Sequence, residues 1–201
     1  YDVDTDEDSI SPYTTSKTMD SGWKFKIQKA EGTGRGYTYS NSFSDETKSL
    51  EELNKFYGKN VTHLKTIKFN NTRQKNCFVG NCLALGQSNY SVEPLQATGI
   101  HCALVQLNDF MRNCFADDID MMTNEVVVKQ YNERTAKICD DLVDFMMVHY
   151  TGGKTNTDFW KYVTYDKPIS DKVSEILDLA KTRLTSWDDF DTYYGLSLIH
   201  I

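Results

Sequence analysis

What this sequence lacks narrows it first. No stretch of its 201 residues approaches the roughly 18 consecutive apolar side chains that a membrane span needs. No basic, apolar leader opens it either, so no membrane partner is expected. Clustered Lys and Arg are also missing. The formal net charge is -7 and the sequence pI about 5.1. A phosphate-binding surface needs concentrated positive charge, so nucleic acid is not an expected partner. The five cysteines, Cys77, Cys82, Cys102, Cys114 and Cys139, are an odd number without regular spacing. That points to free thiols in a reducing, cytoplasmic setting. No paired CxxC or HxxxH spacing offers metal ligands, so no metal is expected. No Gly-x-Ser-x-Gly elbow presents a hydrolase nucleophile. There is no internal repeat.

The elements that are present follow from periodicity. The acidic start, Asp2 to Asp8, reads as a solvated end, and the first twenty residues as the middle of a loop in a longer reading frame. Gly22 to Lys29 (GWKFKIQK) alternates bulky and charged residues as a half-buried strand does. Gly32 to Gly36 is expected as a turn and Tyr37 to Phe43 as the returning strand of a hairpin. Ser44 can cap a helix to Tyr57, with Gly58 at its end. His63 to Asn70 is expected as another alternating strand, and Cys77 to Leu85 as a short, fully buried one. Helices are expected from about Thr98 to Cys114 and from Asn124 to Tyr150. A last one, capped by Ser170, carries Val173, Ile176, Leu177, Ala180 and Leu184 on one face.

Two motifs mislead. GTGRGY resembles a dinucleotide fingerprint, but that motif needs a helix after its glycines, and strand-like residues follow here. Gly153-Lys-Thr155 resembles a phosphate loop, yet Val148 stands where the loop needs glycine. His101 and His149 lie on or beside apolar helix faces and read as hydrogen-bonded core histidines.

The informative stretch is Val79 to Ile100, VGNCLALGQSNYSVEPLQATGI. A strand, a glycine-bearing turn and Pro94 lead into a helix whose start would leave the Thr98 and Gly99 amides unpaired. Such a start attracts anions through its dipole and free donors, and glycine lets a ligand approach the backbone. From the residues alone this is either a small-anion or cofactor-edge site or an ordinary strand-to-helix joint.

The same stretch resembles the flavin-dependent halogenases of tryptophan halogenase type. Their "NCxxIG" and "EPLESTGI" are matched by Asn81 to Gly86 and Glu93 to Ile100. Gly22 to Ile27 resembles their "GWxWxIP", Gly36 to Ser40 their "GYVYS", Asp158-Phe-Trp160 their "TPFW", and Asp191 to Gly195 their "YYG". The resemblance covers Tyr13 to Gly195. It implies an α+β piece of an FAD-dependent monooxygenase/halogenase fold, its antiparallel strands followed by a mainly helical C-terminal region. Residues 1–75 would be substrate-region strands and one helix, 76–116 a strand-turn-helix returning to the FAD domain, and 117–201 a truncated helical substrate region.

The resemblance also implies chemistry. Reduced FAD, supplied by a flavin reductase, and dioxygen oxidise a halide ion held by backbone amides. The hypohalous species passes along a tunnel to a lysine, which presents electrophilic halogen to tryptophan or another electron-rich aromatic. Thr98 and Gly99 fall on the halide-binding pair and Tyr193 and Tyr194 on substrate-holding positions. Trp23 and Phe25 fall on the signature that separates substrate from flavin. Gln96 falls where the family has its catalytic glutamate. A carboxylate can accept a proton and stabilise a cationic ring, whereas an amide can only hydrogen-bond and position. That departure keeps two alternatives open: a flavin-dependent aromatic monooxygenase, and a non-catalytic module retaining the fold. The FAD fingerprint and catalytic lysine are expected upstream of Tyr1, so this piece alone is expected to be inactive. A homodimer is left open.

Overall fold

Cross-strand pairing decides the first sheet. The computed structural model describes residues 1–4, 12–115, 123–151 and 154–183. They divide between two compact units, one from residues 1–68 and 150–168, the other from 69–149 and the segment from 169 onward. The chain is α+β, its short antiparallel strands preceding most of its helices.

In the first unit, β1 (Thr15–Met19), β2 (Gly22–Lys29) and β3 (Gly32–Tyr39) form an antiparallel meander in chain order. β1 corrects the expected loop through the first twenty residues: Thr15 pairs with Lys26 and Met19 with Gly22. The β2–β3 turn is only Ala30 and Glu31, because Lys29 already faces Gly32. The glycines expected in that turn therefore lie in β3. Gly36 sits opposite Phe25, and a Cβ there would come within 2.3 Å of the Phe25 ring. The ring fills the gap that the glycine leaves in the sheet, which ties this sequence to this register.

The helix α1 (Glu46–Tyr57) is capped by Asp45, not Ser44; the Lys48 amide donates to Asp45 Oδ1 at 2.9 Å. Ser44 instead meets the Ser49 hydroxyl at 3.0 Å. Gly58 ends the helix at φ 66, where a side chain would be strained. The core of this unit is aromatic. Trp160, on α4 (Asp158–Lys161), stacks on Tyr150 with ring centroids 5.6 Å apart, and its indole N–H donates to the Met19 carbonyl at 2.6 Å. The Trp23 indole donates to the Tyr150 hydroxyl at 3.0 Å. Residues 63 to 70 form no strand, contrary to expectation. Leu64, Ile67 and Phe69 are 65%, 67% and 45% exposed, so the segment has no buried face to fix a register.

In the second unit, β4 (Thr72–Arg73) pairs with β7 (Tyr90–Ser91). Between them, Cys77 to Leu85 is not one buried strand but a tight hairpin. β5 (Phe78–Val79) and β6 (Cys82–Leu83) close around Gly80 at φ 60, which puts Val79 and Cys82 at the surface. The helix α2 (Thr98–Phe110) runs on through a wider turn to Phe115; α3 (Glu125–Tyr150) and α5 (Asp171–Ala180) follow. Ser170 caps α5 as expected, accepting from the Val173 amide at 3.1 Å. The buried rings of Phe78, Phe110 and Tyr131 meet edge to face, with Phe78 and Phe110 centroids 5.3 Å apart.

Asn132 on α3 docks the hairpin. Its Oδ1 accepts from the Phe78 amide at 2.8 Å, and its Nδ2 donates to the Phe78 carbonyl at 2.9 Å. One side chain thus replaces the neighbouring strand that so short a hairpin lacks. Asn132→Leu is expected to destabilise the protein by about 1–3 kcal/mol, because it orphans both backbone groups. Denaturant unfolding measures this; a change within error would mean water satisfies Phe78.

Candidate active site

The joint between β7 and α2 is built around a strained residue. The Ala97 amide donates to the Pro94 carbonyl at 3.0 Å, closing a turn. Ala97 then takes φ 53 and ψ 32, the left-handed region, and is alone in doing so among the described non-glycine residues. That conformation costs about 1–2 kcal/mol for an L-residue with a Cβ. It swings the chain so that α2 begins at once, with Thr98 as its first residue.

Alanine has no side-chain acceptor, so α2 starts uncapped. Among the described residues no carbonyl or side chain accepts from the Thr98 or Gly99 amide. Two donors at the positive end of a thirteen-residue helix are left without an acceptor, an arrangement that can receive an anion. The Thr98 side chain is 1% exposed, its hydroxyl 3.3 Å from the Tyr90 hydroxyl. Burial pushes the Tyr90 phenol well above the usual tyrosine range, so it stays protonated and neutral beside the donors. Gly99 is exposed, and a Cβ placed on it meets no atom within 4 Å. One donor is thus anchored in the core and the next opens onto empty space.

Gln96 stands two residues before this pair, half-buried. Its Nε2 lies 2.8 Å from Nε2 of His149, on the last turn of α3. His149 Nδ1 lies 2.8 Å from the Phe145 carbonyl. Burial holds the imidazole below the usual histidine range, with the Phe145 carbonyl opposing it. The expectation of a hydrogen-bonded histidine holds for His149, and its partner is Gln96, the residue that the resemblance sets at the family's glutamate position. Sequence reading missed that link because 53 residues separate the two, and only the packing of α3 brings them together.

Trp23 and Phe25 belong to the first unit. Two positions apart on β2, they share a face, with ring centroids 5.7 Å apart. Tyr193 and Tyr194 lie outside the described residues. The glycines of GTGRGY lie in β3, so no strand-glycine-helix cradle forms there.

An uncapped helix start after a proline turn, on an α+β frame of this element order, is the setting in which the chain can be compared with known proteins. The sequence profile of the tryptophan halogenase family matches residues 2–197, and the chain belongs to that family. It is 29% identical over 199 residues to tryptophan 7-halogenase RebH of Lentzea aerocolonigenes, covering 96% of this chain and 37% of that protein. To tryptophan 6-halogenase ThaL of Streptomyces albogriseolus it is 27% identical over 198 residues, covering 96% and 36%. Among solved structures, tryptophan 6-halogenase SttH of Streptomyces toxytricini superposes with TM-score 0.82 at 25% identity, covering 97% of this chain and 38% of that one. The chain thus spans little more than a third of the length of the relatives it matches. No helix among the described residues is long and apolar enough to cross a membrane.

Proposed function

We propose that this chain is part of an FADH2-dependent halogenase that uses dioxygen and halide to halogenate tryptophan or another electron-rich aromatic. One observation carries the reading: the unbonded Thr98 and Gly99 amides at the start of α2, with open space at Gly99. The donor set suits a halide, which takes hydrogen bonds from any direction and needs no carboxylate or metal beside it. The missing side chain at Gly99 suits the edge of a flat ring, so the residues present fit contact with a flavin while its dinucleotide half would be held elsewhere. Reduced FAD, when bound, would supply the electrons with which dioxygen is turned into an oxidant of halide.

This chain's own residues have simpler tasks. Thr98 and Gly99 hold the halide by their N–H groups. The neutral Tyr90 phenol packs the Thr98 side chain, so the first donor keeps its place. Gln96 orients the reacting ring. Trp23 and Phe25 separate substrate from flavin, and Tyr193 and Tyr194 contribute to the substrate pocket. A flavin reductase in the same cytoplasm would supply the reduced cofactor.

The experiment is an assay of the full-length protein with reduced flavin, bromide and tryptophan, read by mass. Exchange of one hydrogen for bromine, lost when bromide is omitted, is the expected result. Gain of one oxygen independent of halide would instead make the protein an aromatic monooxygenase, the alternative that Gln96 keeps open. No change of mass with any electron-rich aromatic would leave a non-catalytic module.

A further inference from the structure

Gln96 faces a histidine whose tautomer is fixed. A carbonyl oxygen only accepts, so the 2.8 Å contact with Phe145 places the His149 proton on Nδ1. In the neutral ring Nε2 is then a bare lone pair. The group 2.8 Å from it must donate, which orients the Gln96 amide with its NH2 toward His149. Oε1 therefore points the other way, and it has no partner among the described residues. Protonating His149 on Nε2 would set two donors face to face. The amide would have to turn over, giving Oε1 to the imidazolium and its NH2 to the site.

We propose that His149 is a positioning residue that makes Gln96 present its carbonyl oxygen to a positively charged aromatic intermediate, and that protonation of His149 reverses the amide. This rests on the halogenase reading above. It explains how an amide can stand at a carboxylate's position: the oxygen of an amide dipole still faces the cation, weakly and without taking its proton. The orientation holds while the imidazole is neutral. Burial favours the neutral form and outweighs the Phe145 carbonyl, which acts the other way. The group is therefore set correctly at neutral pH and reversed only as pH falls below the ordinary histidine range. Stability follows the same sign: it is complete above the unfolded-state histidine value and declines as pH drops through the lower folded-state one.

The test uses the full-length protein labelled in histidine rings and glutamine side-chain amides, with signals assigned by His149→Phe and Gln96→Leu. The expected result is a neutral His149 carrying its proton on Nδ1, with the Gln96 amide signals shifting at the same pH midpoint as the ring. Gln96→Glu should raise that midpoint by more than one pH unit, since a carboxylate favours the imidazolium. Turnover should fall tenfold per pH unit below the same midpoint, through kcat with KM unchanged, and His149→Phe should abolish that acid limb. Gln96 signals that stay still while His149 titrates, or a neutral ring protonated on Nε2, would overturn the proposal. If the signals move together but no halogenated product forms at any pH, the amide reversal stands and the halogenase reading falls.

Discussion

Trp160→Ala is expected to lower stability by about 3–5 kcal/mol, the usual loss when a buried tryptophan is truncated. Total stabilities of about 5–15 kcal/mol are ordinary, so this one change would remove about a fifth of the total or more. Three contacts meet at this side chain: the stack on Tyr150, the packing against Phe159, and the indole hydrogen bond to the Met19 carbonyl at the end of β1. Trp160→Phe separates them. It keeps most of the apolar contact and deletes the donor, so it should cost about 1–3 kcal/mol for the orphaned carbonyl. Packing should therefore outweigh the hydrogen bond. Equal losses in the two variants, read by denaturant unfolding at constant slope, would show instead that the Met19 carbonyl holds α4 to the sheet.

The elements legible in the sequence were those whose signals are local. The alternation of β2, the glycine after α1, the serine before α5 and the long apolar stripe of α3 each sit within a few residues of what they specify. The misreadings share a cause. Whether Gly32 to Gly36 turns or runs straight depends on Phe25, eleven residues away from Gly36 across the sheet. Whether Cys77 to Leu85 is one strand or two depends on Gly80 and on Asn132, a side chain on another element. Residues 63 to 70 had strand-like composition but no surface to cover. The site divides the same way. The unpaired amides of Thr98 and Gly99 could be read from the proline-led turn into a helix, whereas the left-handed Ala97 carries none of the glycine or asparagine that usually marks such a turn. Nothing local ties Gln96 to His149.

Gly99→Ala is expected to leave α2 intact while reducing halide-dependent turnover of the full-length protein on the order of 10²-fold, the scale seen when one preorganised donor is lost. The fold should tolerate the change because the added Cβ meets nothing within 4 Å, and Gly99 does not occupy the left-handed region. Helix propensity even favours alanine by about 0.5–1 kcal/mol, so the variant should be no less stable than the parent. The methyl group would instead stand in the space before the helix amides and hold an ion out of hydrogen-bond range. Binding can be read apart from turnover: bromide should raise the unfolding temperature of the parent by ordinary ligand linkage and leave that of the variant unchanged. Thr98→Pro is a poorer test, although it deletes a donor outright. It also removes the buried contact with Tyr90 and imposes proline on a left-handed Ala97, so lost activity would not separate ion from fold. A Gly99→Ala protein that halogenates normally and still responds to bromide would return residues 97 to 99 to an ordinary joint between strand and helix. The halide would then have to be held by donors on other segments of the full-length protein.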